Sequence, residues 1–173
     1  FVSGATNAGI NGARQNAVTA VASASSLFFP EGVATDSSGS VYVADASNSR
    51  VLKFLDPYTT DTTADTVFGQ ADFTARNPSY PYGTATSLAG PRGVGTDGSG
   101  GLWVADTLDH RVVRFPVAGG AATVVLGQSG FVSSTTFPPY TSGCSATGMN
   151  QPEKVHAGAG GRLYVADTGN HRV

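Results

Sequence analysis

The chain has 173 residues, a formal net charge of −2 and a charged fraction of 13%, about half the usual share. Hydrophobic residues at 40% exclude wholesale disorder. The charge balance excludes a general attraction to nucleic acid or anionic lipid, and no apolar run approaches the ~20 residues of a membrane-spanning helix. Polarity comes instead from 23 Gly, 17 Ser and 19 Thr. Such a surface suits an extracellular or cell-surface protein. The sole cysteine, Cys144, has no internal disulfide partner. It is a free or buried thiol, or it bridges to a residue outside this chain.

In chain order, Phe1 to Phe29 reads as a connecting stretch, and the repeat begins at Pro30. Three segments align without gaps: Pro30 to Phe54, Pro91 to Phe115 and Pro152 to Val173. Their prolines are 61 residues apart both times, and so are Asp45, Asp106 and Asp167. A fixed period of this kind marks a solenoid or a propeller.

Each repeat predicts short strands and tight turns. Strand one spans Gly32 to Asp36 in the first copy. Its small residues (Gly32, Ala34, Gly93, Gly95) belong where blades converge near an axis. The next turn ends in Gly39, Gly100 or Gly161, which supplies the positive φ of a short hairpin loop. Strand two follows as Val41 to Ala44, Leu102 to Ala105 and Leu163 to Ala166. Neither of its faces is polar, so both are expected to be buried. Tyr42, Trp103 and Tyr164 are placed to wedge against a neighbouring sheet.

The second turn opens on Asp45, Asp106 or Asp167, whose carboxylate can bond backbone N–H groups nearby. Asn48, Asp109 and Asn170 are the predicted left-handed positions, because Asn and Asp tolerate that backbone best. Arg50, Arg111 and Arg172 open strand three and can reach back to the turn aspartate. A fourth strand is predicted over Thr66 to Gly69 and Thr123 to Gly127. The connecting stretches Gln70 to Gly90 and Gln128 to Gln151 lengthen the period beyond the ~40–50 residues of common propeller repeats.

The predicted fold is all-β, a β-propeller fragment of about three four-stranded antiparallel blades. The blades fall at about 1–69, 70–127 and 128–173, the last incomplete. A propeller closes with typically four to eight blades, and six at this period need about 366 residues. So the unit is expected to be completed by a longer chain or by copies meeting head to tail. Flat apolar end faces are then expected, with Tyr42 and Val41 among the candidates at one end.

The segments VADTGNHRV at 165–173 and VADTLDHRVVRF at 104–115 resemble NHL repeats, named for Asn-His-Leu. The tracts FGQADF at 68–73 and LGQSGF at 126–131 are similar to one found in many bacterial NHL-repeat proteins. The sequence departs from the pattern at Asn48-Ser49, at Asp109-His110 and at Gly158, which replaces the Asp found at 36 and 97. The resemblance implies a propeller, commonly six-bladed. It leaves function open, since members include protein- and RNA-binding domains, extracellular sensor domains and an amidating lyase.

Several residues invite a chemical reading. The pairs Asp45/Arg50, Asp106/Arg111 and Asp167/Arg172 recur in every blade, which assigns them to stapling a turn. His110 and His171 lie one blade apart, too far to share a metal ion whose ligands sit ~2.1 Å away. His156, on an inner strand, is placed to face the central channel, but one histidine does not make a metal site. Asp36 and Asp97 could line the channel and hold a hard cation such as calcium. No serine nucleophile motif, paired-cysteine spacing or phosphate loop is present.

The better binding candidates are Tyr80, Tyr82, Phe137 and Tyr140, aromatics in proline-rich loops on a rigid scaffold. The competing role for them is to cover apolar blade edges. The functional expectation is a non-catalytic scaffold that binds protein or glycan or self-associates, without cofactor, metal, nucleic acid or membrane insertion. One alternative is an enzyme resembling the amidating lyases with a metal in the channel, for which His156 is the one candidate ligand. The other is an RNA-binding propeller, which 10 basic against 12 acidic residues oppose.

Overall fold

The computed structural model describes residues 21–57, 62–76, 83–132 and 146–173. The first sheet runs in chain order through β1 (Pro30–Thr35), β2 (Val41–Asp45), β3 (Arg50–Phe54) and β4 (Thr66–Phe68). The second repeats it with β5 (Pro91–Thr96), β6 (Gly101–Asp106), β7 (Arg111–Pro116) and β8 (Val124–Leu126). The third pairs β9 (Pro152–Ala157) with β10 (Leu163–Asp167), and a single bridge joins Asp167 to Arg172. All pairings are antiparallel, and each four-stranded meander is a propeller blade. The register repeats as well: Ala34 faces Tyr42, Gly95 faces Trp103 and His156 faces Tyr164.

The fourth strands stop one residue earlier than predicted, because Gly69 and Gly127 take φ of +83 and +88 and leave the extended region. Gly39, Gly100 and Gly161 adopt the expected positive φ. The left-handed residue of the second turn is corrected by one position. It is Ser49, His110 or His171, each at φ 54 and each closing a single 3-10 turn. The physical reason lies in the preceding side chain. Asn48 and Asn170 donate through Nδ2 to the turn aspartate at 2.8 Å, which keeps them inside the turn.

Alternation along the strands decides which face meets which blade. Tyr42, Ala44, Val51 and Phe68 of the first sheet pack onto Val94, Leu102, Val104, Val113 and Phe115 of the second. Phe68 meets Phe115 edge-on at 5.7 Å. Trp103, Ala105, Val112 and Leu126 then face Val155, Leu163 and Val165 of the third. Tyr42 and Trp103 of strand two therefore point forward, onto the next blade. Tyr42 is fully buried, Trp103 half-buried and Tyr164 49% exposed.

This corrects the expected end face. Tyr42 is an inter-blade residue, because its even-numbered position faces the second sheet. Val41 is half-buried on the opposite face, in a cluster with Val43, Leu52 and Phe54 that Ala24, Leu27 and Phe73 cover.

Near the axis the blades meet backbone to backbone. A Cβ at Gly32 would lie 2.4 Å from the Arg92 carbonyl oxygen, and one at Gly93 would lie 2.6 Å from that of Glu153. No side chain fits at either distance, which is why the inner strands carry glycine there.

Candidate functional site

The repeated Asp–Arg pairs are structural hubs. Asp106 Oδ2 accepts from Arg111 Nε at 2.7 Å, and its Oδ1 accepts from the Ala89 N–H at 2.7 Å. Arg111 Nη1 donates to the Phe131 carbonyl at 3.0 Å. Its Nη2 donates to the carbonyls of Thr84 at 3.1 Å and Ser87 at 2.9 Å. One guanidinium thus ties the turn to the loop before the blade and to the loop after it.

Arg50 does the same with Asp45, with the carbonyls of Ser23 and Ser26, and with that of Phe73. Arg172 bonds Asp167 and the Gly148 carbonyl. Arg50 and Arg111 are fully buried. The cost of burying such a charge is visible at Asp106, where burial pushes the carboxyl up to about 7 against the pull of Arg111.

Sequence reasoning missed half of this hub, although the signal was present. Residues 22–29 align with 83–90 and 144–151 at the same 61-residue period, and this stretch supplies the accepting carbonyls. The phenylalanine that ends FGQADF and LGQSGF supplies the other carbonyl, through its backbone.

Asp36 and Asp97 are equally committed. Asp36 accepts from the N–H groups of Ser38 and Ser40 at 3.0 Å each, from Ser38 Oγ at 2.6 Å and from Tyr42 Oη at 2.9 Å. Asp97 accepts from Ser99 and Gly101 N–H, from Trp103 Nε1 at 3.1 Å and from Arg114 Nε at 2.7 Å. These carboxylates latch the forward-pointing aromatic to its own hairpin. A cation at them would have to displace those donors, so the channel-cation reading is set aside. Gly158 removes the latch in the third repeat, where Tyr164 stacks on His156 instead, with ring centroids 6.4 Å apart.

The latch has a measurable acid limit. Burial raises the Asp36 carboxyl, but the hydrogen bonds from Ser38, Tyr42 and Ser40 outweigh it and bring the group down to about 2. The folded value is depressed, so its stabilisation is present above the ordinary ~3.9 and is lost as pH falls toward 2. Amide resonances of Ser38 and Ser40 are expected to shift and lose protection in that window. Unchanged amides down to pH 2 would contradict the latch.

A concave feature of the described residues lies along the three inner strands. Glu31 to Thr35, Gly93 to Thr96 and Lys154 to Ala157 bound a groove of about 540 Å³. Its rim carries an alternating charge row. Arg92 pairs with Glu153 on one side and with Glu31 at 3.5 Å on the other. These three residues are again 61 apart. Lys154 Nζ reaches the Glu31 carbonyl at 3.4 Å, and Thr96 Oγ1 donates to the Thr35 carbonyl at 2.7 Å. Val33 is 69% exposed beside the groove. His156 lines it, as its inner-strand position predicted. Among the described residues no group of three or more His, Cys, Asp or Glu could hold a metal ion. Tyr80, Tyr82, Phe137, Tyr140 and Cys144 lie outside the described residues.

A sequence model of the NHL repeat matches residues 29–54 and 149–173. These spans hold the first and third copies of the strand–turn–strand unit whose hubs are described above. The chain carries NHL repeats. No curated protein matches this NHL-repeat chain in sequence.

Solved structures similar to this chain include a hydrazine synthase and a virginiamycin B lyase. Hydrazine synthase from Kuenenia stuttgartiensis shares 10% identity over 95% of this chain and 38% of its own, with a TM-score of 0.50. Virginiamycin B lyase from Staphylococcus aureus shares 15% identity over 79% of this chain and 34% of its own, with a TM-score of 0.46. The NHL-repeat chain thus spans little more than a third of either protein, and at 10% identity the likeness to hydrazine synthase bears on the fold alone.

Proposed function

We propose that this chain is a non-catalytic propeller scaffold whose inner-strand groove binds an extended segment of a partner protein. One observation carries the reading. The repeated acids and arginines of the blade turns are committed to internal hydrogen bonds, whereas the groove offers strand backbone, the exposed Val33 and a charged rim. An extended polypeptide complements such a surface, with backbone groups for its amides and alternating charges to set its direction. The low-charge, hydroxyl-rich composition supports a place outside the cell or on its surface, and the near-neutral charge balance argues against nucleic acid as the partner.

Peptides selected from a display library against the purified chain test this. Val33→Arg fills the groove from an exposed position and is expected to leave the unfolding midpoint unchanged while reducing peptide binding at least tenfold. Peptides that bind both forms alike would place binding elsewhere. Stoichiometric metal on the purified protein would favour the enzymatic alternative.

A further inference from the structure

The joint between the second and third blades contains a titratable element that the preceding joint lacks. His110 follows the single 3-10 turn Thr107–Asp109 and holds a left-handed backbone. Its side chain crosses to the next blade, where Nδ1 accepts a hydrogen bond from the Gln151 N–H at 3.1 Å. An acceptor at Nδ1 requires the neutral ring, with its proton on Nε2. Gln151 directly precedes Pro152, the first residue of β9, and is itself left-handed at φ 49. The imidazole therefore holds the residue that turns the chain into the third sheet.

The equivalent position at the first joint is Ser49. Its Oγ faces the Gly90 N–H at 3.5 Å, and Gly90 likewise precedes Pro91. The two joints share geometry and differ in chemistry: a serine hydroxyl accepts at any physiological pH, and a histidine does not.

We propose that His110 is an acid-labile clasp that holds the third blade to the second at neutral pH and releases it on protonation. A proton on Nδ1 turns the acceptor into a donor pointed at another donor, so the bond to Gln151 is lost. His110 is 5% exposed, and the imidazolium cannot be solvated in place.

The groups facing the ring are Asp109 on its own turn, Asp167 at the end of β10 and the Asn150 side chain. Burial holds the imidazole below its usual range, against the opposing pull of Asn150, Asp109 and Asp167. The sign follows. The folded value is depressed, so the docked state is fully supported above the unfolded ~6.5 and loses support as pH falls below it. Within that window one extra proton bound on opening changes the opening equilibrium about tenfold per pH unit.

Amide hydrogen exchange on the full chain between pH 7.5 and 5, corrected for intrinsic rates, tests the clasp. Protection of Gln151, Val155 and Val165 is expected to fall about tenfold per pH unit below the onset, while that of the first joint, read at Gly93 and Val94, stays level. His110→Ser, which copies the first joint, is expected to abolish the pH dependence. Ser49→His is expected to install it at the first joint. Should His110→Ser fail to fold, an NMR titration of the His110 ring in the unmodified chain decides instead. Protonation at Nδ1 with the Gln151 amide still protected would overturn the proposal. So would an undiminished pH dependence in folded His110→Ser, which would assign the effect to Asp167 or Asp109.

Discussion

Arg111→Ala is expected to lower the stability of the chain by about 3–5 kcal/mol, the cost of leaving a buried charge without its partner. The guanidinium is fully buried and bonds Asp106 together with three carbonyls from two loops. Removing it strands the Asp106 carboxylate in a site where burial already opposes its ionisation. It also frees the loop before the blade and the loop after it. Arg111→Lys keeps the charge but cannot span the same acceptors with a planar fork, and is expected to recover less than half of the loss. Urea denaturation of the three forms supplies the measurement. A loss below about 1 kcal/mol for Arg111→Ala, the range of exposed pairs, would show that the hub does not hold the blade.

Phe115→Ala is expected to cost a similar about 3–5 kcal/mol, from lost transfer energy and the cavity left behind. Phe115 is fully buried in the core between the first two blades and meets Phe68 edge-on at 5.7 Å. A double-mutant cycle with Phe68→Ala is expected to return a coupling of about 0.5–1.5 kcal/mol for that ring pair. Additive losses would mean that the two rings act independently. Trp103 has the same inter-blade orientation, but it is only half-buried and keeps its indole N–H on Asp97. Its truncation is expected to cost less than that of Phe115, although Trp is the larger side chain.

The repeat was legible because its signals are local and periodic. Proline, glycine, aspartate and arginine recur at 61-residue spacing, and each has a backbone or turn preference that acts within a few residues. Strand order, hairpin register and the Asp–Arg pairing all follow from contacts inside one blade. The inner-strand groove was not legible. Aromatic loops were chosen on composition, whereas the groove is assembled by β1, β5 and β9 from three blades, and no single stretch of chain contains it.

The errors have a common origin. The left-handed residue was assigned by intrinsic tolerance to Asn48 and Asp109, but Asn48 is held in the turn by its bond to Asp45, and the strained position passes to Ser49 or His110. Tyr42 was placed both as a wedge against a neighbouring sheet and as an end-face candidate, and it is the wedge that holds, since the ring is buried against the second blade. Asp36, a candidate channel carboxylate, is closed by four donors.

Sequence alone determined the blade, its period, its turn glycines and the carboxylate partner of each turn arginine, because these depend on residues close in the chain. Only the tertiary structure decided which face of each strand meets the next blade, that Asp36 is occupied while the inner groove is open, and that His110 reaches Gln151. Those outcomes depend on the direction in which one blade stacks on another. That direction is set by non-equivalent side chains of successive blades sharing one core, Tyr42 with Leu102 and Val104 rather than with Trp103, and a pattern that reads the same in every repeat carries no mark of it.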